Sequence, residues 1–99
     1  MVFKHPVIWS EEAVRNLEGI LEYLYSEWTQ REIDNFKRLL SKQLLLISNH
    51  PLMFPISKFQ PRLRKAVLMN KIIVFYEFKE NSIFLVYLFH TSQNPDKIE

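Results

Sequence analysis

The chain has 99 residues, 47% of them apolar and 14% aromatic, with a net charge of +2 and no cysteine. That composition excludes a disordered or collagenous chain, a disulfide-framed scaffold and thiolate metal sites. A chain of 99 residues forms one domain with a real but modest core, and the longest apolar stretch, residues 83–89, is far too short to span a bilayer.

The start, Met1-Val2-Phe3-Lys4-His5-Pro6, has no long apolar run and is not a signal peptide, which together with the missing cysteine points to a cytoplasmic protein without a membrane partner. Val7-Ile8-Trp9 is a short apolar run and predicts a first strand. Ser10 is a good N-cap, and Glu11 and Glu12 sit where the helix dipole favours acids. Ala13, Leu17, Ile20, Leu24 and Trp28 recur at helical steps, widened by Val14, Leu21 and Tyr25, so an amphipathic helix is expected from Glu11 to Trp28. Gly19 lies inside that pattern and is expected to allow close packing.

Thr29-Gln30-Arg31-Glu32 fits a capping box and opens a second helix. Its stripe is Ile33, Phe36, Leu40, Leu44 and Ile47, and Asn49-His50-Pro51 ends it, because proline disfavours helix in the residue before it. The short joint predicts an antiparallel helical hairpin. Residues 51–62 hold Pro51, Pro55 and Pro61 and predict an irregular surface loop. Leu63–Met69, Ile72–Lys79 and Ser82–His90 predict three strands, joined by turns at Asn70-Lys71 and Glu80-Asn81. The chain is therefore expected to be an α+β domain over residues 1–99, ordered β-α-α-β-β-β, with the hairpin packed on a three- to four-stranded antiparallel sheet and a polar tail at 91–99.

The last two strands are apolar on both faces rather than alternating. A helical hairpin covers one face, so the other is expected to be covered by a partner; the alternative is cover by sheet twist and the proline loop. Charge is also uneven: residues 1–50 carry 6 Lys/Arg against 7 Asp/Glu, and residues 51–99 carry 7 against 4. Between Lys58 and Lys71 lie five basic residues (Lys58, Arg62, Arg64, Lys65, Lys71) and no acid, a field that favours an acidic partner, protein or nucleic acid.

Most catalytic signatures are absent. A single glycine rules out a Gly-rich phosphate loop, and His5, His50 and His90 are too scattered for a metal site, so neither metal nor cofactor is expected. Glu18 and Glu22 stand one turn apart on a solvated face. His90 ends the last strand, and the start of a neighbouring strand is expected to bring Arg62 or Arg64 close to it. An imidazole beside guanidinium groups could move a proton on a phosphodiester; the plainer role is a strand-end histidine bonded to the backbone.

Taken in order, these segments resemble the RelE/ParE superfamily of bacterial toxins from type II toxin–antitoxin systems. The resemblance runs from Ser10-Glu11-Glu12-Ala13 through Ile20-Leu21-Glu22-Tyr23-Leu24, Trp28 and His50-Pro51 to Leu63-Arg64-Lys65, Ile72-Ile73-Val74-Phe75-Tyr76-Glu77, and His90 before Asn94-Pro95. It implies two helices on a three- or four-stranded sheet and a cognate antitoxin that neutralises the toxin in a hetero-oligomer of the plasmid-stabilisation type. The implied partner-binding residues are Arg62, Arg64, Lys65, Phe75, Tyr87 and His90.

The RelE-like branch, which cleaves mRNA at the ribosome, would use Arg62, Arg64, Lys65 and His90. This sequence departs from it: Ile73 stands where a middle-strand arginine is expected, Ser92 and Gln93 where a C-terminal one is, and no tyrosine follows. The ParE-like branch, which poisons DNA gyrase without a catalytic site, is similar at Leu63-Arg64-Lys65, Val74-Phe75-Tyr76 and His90. The resemblance thus implies gyrase inhibition first, a metal-independent ribonuclease second, and an inactive antitoxin binder third.

Overall fold

The computed structural model describes residues 3–91, so the tail from Ser92 onward, with Gln93 and Asn94-Pro95, lies outside the described residues. The elements run β1 (Val7–Trp9), α1 (Glu11–Glu27), α2 (Gln30–Asn49), β2 (Arg64–Leu68), β3 (Ile72–Lys79) and β4 (Ser82–His90).

Each helix begins at the cap its sequence advertises. Ser10 Oγ accepts from the Ala13 amide at 3.0 Å and donates to Val86 O at 2.7 Å, so one hydroxyl starts α1 and ties it to β4. At the joint, the Thr29 hydroxyl accepts from the Glu32 amide at 3.3 Å while the Glu32 carboxylate accepts from the Thr29 amide at 3.0 Å. That reciprocal pair lets α2 start with only Trp28 and Thr29 between it and α1. The chain then doubles back: Lys37 Nζ donates to Tyr25 Oη across the joint, and the end of α2 reaches the start of β1, where Ser48 Oγ bonds both the amide and the carbonyl of His5.

The sheet order is β1-β4-β3-β2. β2, β3 and β4 are antiparallel neighbours, but β1 pairs parallel with β4, Val7 to Ile83 through Trp9 to Leu85. The four-stranded sheet is therefore mixed, where the sequence predicted antiparallel strands throughout. The hairpin and two strands between β1 and β4 act as the long crossover that a parallel pair requires. At the tip of β3–β4, Glu80 and Asn81 both take positive φ (54 and 59), the two-residue turn whose twist matches the strands.

The helix-facing core joins Ala13, Ile20, Leu24, Ile33, Phe36, Leu40, Leu44 and Ile47 to Ala66, Leu68, Ile72, Val74, Tyr76, Ile83, Leu85 and Leu88. Among the described residues the second sheet face is covered only in part, and Val67, the cross-strand neighbour of Ile73, stays exposed. Leu63, at the end of the proline loop, is buried with Ile73 and Phe75, and Val86, Tyr87 and Phe89 pack against them half-buried. Gly19 corrects another reading. A Cβ there would meet nothing within 4 Å, so the glycine serves no close approach. Gly19→Ala should stabilise the protein by about 1 kcal/mol in urea unfolding, since it removes only the backbone entropy cost.

Candidate functional site

The register decides which predicted site residues meet. Lys65 pairs with Phe75, and Phe75 with Tyr87, so the three form one row across the second face of the sheet. The Phe75 and Tyr87 rings stack with centroids 4.5 Å apart. Phe75 is buried and Lys65 and Tyr87 are half-buried, so the row is not a pair of open rings. Arg62 adjoins it through Glu77, its Nη1 lying 3.3 Å from the Glu77 carboxylate, which also takes Lys79 at 3.7 Å.

Arg64 and His90 lie elsewhere. Arg64 pairs with Tyr76, whose side chain sits in the helix-side core, and its Nη1 donates to Phe54 O at 2.7 Å, with Leu52 O at 3.4 Å. Its guanidinium clamps the proline loop. Tyr76 Oη donates to Pro51 O at 2.6 Å, so the two side chains hold the loop at three carbonyls. The cause is local: residues 51–55 have no strand partner for these carbonyls, and only a long donor rising from β2 or β3 can reach them.

His90 pairs with Ile72, which pairs with Leu68, so it flanks the far end of β2. Two strand spacings across and four residues along separate it from Arg64 by on the order of 15 Å. This overturns the expected approach of Arg62 or Arg64 to His90, because β2 enters the sheet at the opposite end. His90 is 3% exposed, with its ring tilted against Tyr23 of α1 at 5.0 Å. Burial, and then the charge of Lys71, push its pKa below the usual 6.5, so it is mostly neutral at pH 7. The nuclease set Arg62, Arg64, Lys65 and His90 is thus split between two faces and two ends of the sheet. Among the described residues no cluster of three or more His, Cys, Asp or Glu could hold a metal, and no helix is long and apolar enough to cross a membrane.

Tyr76 reports on the clamp. Burial, partly offset by Arg64, raises its pKa from 10 to about 12. The folded phenol keeps its proton where the unfolded one loses it. Its stabilising contribution is full below pH 10 and is lost as pH rises through about 12. The expected slope is at most about 1.4 kcal/mol per pH unit. Urea unfolding at several pH values between 9 and 12 should show this loss in the parent and a flatter profile in Tyr76→Phe.

One exposed apolar surface has no counterpart among the residues singled out from the sequence. Leu52, Met53, Ile56 and Phe59 are all exposed on the proline loop. Four large apolar residues among prolines, with no helical or strand period, were the available signal.

The chain matches the family described as ParE toxin of type II toxin-antitoxin system, parDE, over residues 7–95, from the first residue of β1 past the end of β4. No curated protein matches it.

Proposed function

The chain belongs to the ParE toxin family of type II toxin–antitoxin systems, and we propose that it arrests growth by binding DNA gyrase, without cutting RNA, until a cognate antitoxin neutralises it in a hetero-oligomer. The observation that carries this reading is the placement of the cationic residues. A metal-free ribonuclease needs a base, an acid and cationic stabilisation within hydrogen-bond reach of one phosphodiester. Arg64 instead donates to loop carbonyls, and His90 is buried against Tyr23 at the other end of the sheet. The row of Lys65, Phe75 and Tyr87, flanked by Arg62, suits contact with a protein surface. Arg64 holds the loop beside that row, and His90 packs under α1 away from it.

Purified protein should inhibit gyrase supercoiling and leave mRNA intact on programmed ribosomes. Ribosome-dependent cleavage with normal supercoiling would sink the reading and restore the nuclease. Normal growth on induced expression without antitoxin would leave only an antitoxin binder.

A further inference from the structure

We infer that the outward stripe of α2 contacts the sugar-phosphate backbone of duplex DNA. Arg31, Asn35, Arg38 and Lys42 follow one another at steps of four, three and four. They lie on the side of the helix opposite the buried stripe of Ile33, Phe36, Leu40, Leu44 and Ile47. The three cations are exposed, and the rise from Arg31 to Lys42 spreads them along a line of about 16 Å. Asn49 lies two turns past Lys42 on the same side. Its Oδ1 accepts from the Lys4 amide at 3.1 Å, which sets exposed Lys4 at the end of the line.

Charge is segregated between the two helices. α1 carries five acids and one base, whereas α2 carries four bases and two acids. Both acids of α2 are turned to the helix start: Glu32 caps Thr29, and Asp34 Oδ1 accepts from Gln30 at 2.9 Å. Lys37, the remaining base, stands off the line and donates to Tyr25 Oη at 3.1 Å. Among the described residues Arg31 and Lys42 have no ion pair, and Arg38 donates to Asn35. The first turns of α2 also frame an open depression lined by Arg31, Glu32, Asp34, Asn35 and Arg38. A line of cations without carboxylate partners attracts a polyanion, which sheds its own counterions on binding.

The side chains select the occupant. Arg, Lys and Asn donate to phosphate and sugar oxygens. The line has no aromatic ring on which an unpaired base would stack, so a duplex fits better than a single strand. It has no apolar centre of the kind a protein interface desolvates. The apolar stripe of α2 is packed in the core, which leaves it no face to insert into lipid. Duplex DNA carries one charge per about 1.7 Å of axis, so a line of about 16 Å meets several phosphates. The choice of DNA over RNA rests on the gyrase reading, because that target works on duplex DNA; the cationic line itself does not.

The test titrates the full chain into a short labelled DNA duplex at several salt concentrations, followed by fluorescence anisotropy. Binding should be indifferent to sequence, and log K should fall with log salt at a slope of roughly −3, about 0.9 for each phosphate neutralised. Arg31→Gln, Arg38→Gln and Lys42→Gln should each make the slope shallower by about one, and the triple variant should bind at least about ten-fold more weakly with Tm unchanged. Lys37→Gln removes the same charge off the line and should leave the slope in place. An unaltered slope in the triple variant, an equal effect of Lys37→Gln, or no binding at low salt overturns the proposal. So does tighter binding of single-stranded DNA, of duplex RNA or of phosphatidylserine vesicles. Gyrase is absent from these titrations, so they can fail while supercoiling inhibition stands, and the duplex can bind while supercoiling runs normally.

Discussion

Arg64→Ala is expected to destabilise the protein by about 2–4 kcal/mol, because it removes a charge-assisted bond and leaves a part-buried carbonyl unpaired. The Nη1 of Arg64 holds Phe54 O at 2.7 Å and lies 3.4 Å from Leu52 O, and no strand offers those carbonyls another donor. Tyr76, the cross-strand neighbour, is near enough for the Arg64 charge to act on its phenol. For a chain of this size the loss amounts to a fall in Tm of at least about 10 °C, measured by thermal unfolding. Amides around residues 52–56 should exchange faster, while those of β3 and β4 fall only with global stability. Arg64→Lys should recover part of the loss, since an ammonium can reach one carbonyl but lacks the fork. A variant as stable as the parent, yet unable to bind its partners, would return Arg64 to the role of a contact residue.

Asn16→Ala should cost about 1–3 kcal/mol by stranding the Leu88 amide. That amide donates to Asn16 Oδ1 at 3.0 Å in a part-buried place. The need for it arises in the sheet. Phe75 pairs with Tyr87 but Tyr76 pairs with Leu85, so Val86 is an extra residue in β4. β1 ends at Trp9, opposite Leu85, and beyond it α1 takes over: the Ser10 amide bonds Leu85 O, Ser10 Oγ bonds Val86 O, and Asn16 serves Leu88. Asn16→Asp keeps the acceptor and should recover most of the stability. Urea unfolding measures the cost, and faster exchange at the Leu88 amide locates it. A protected Leu88 amide in Asn16→Ala would show that the helix side chain is not its partner.

The bulge also sets which residues of the apolar run from Ile83 to Phe89 face the helices. Ile83 and Leu85 face the helices, and after the extra Val86 so do Leu88 and His90, which places His90 under α1. An alternating strand would have announced the phase change; an all-apolar one hides it. Phe75 and Tyr87 are neighbours on one face through that register, which no local pattern encodes. Arg64 and Lys65 are adjacent in sequence and therefore point to opposite faces, so the basic cluster that looks continuous in sequence is divided between the loop clamp and the second sheet face.

The sequence by itself determined the elements and their order. Ser10, the Thr29–Glu32 box and Pro51 delimit the helices through bonds made within a few residues, and Glu80-Asn81 closes the last hairpin the same way. Helical periodicity likewise named the buried stripes of α1 and α2, although Val14 and Tyr25, expected to widen the first, stay exposed. Tertiary structure alone decided the parallel joining of β1 to β4, the bulge at Val86, the separation of His90 from Arg64, and the outward display of Leu52, Met53, Ile56 and Phe59. Those features depend on partners 10 to 76 residues away along the chain, such as Phe54 for Arg64 and Val86 for Ser10. Local propensity is blind at that range, because register and pairing are set by which distant donors and acceptors remain to be satisfied once the core has closed.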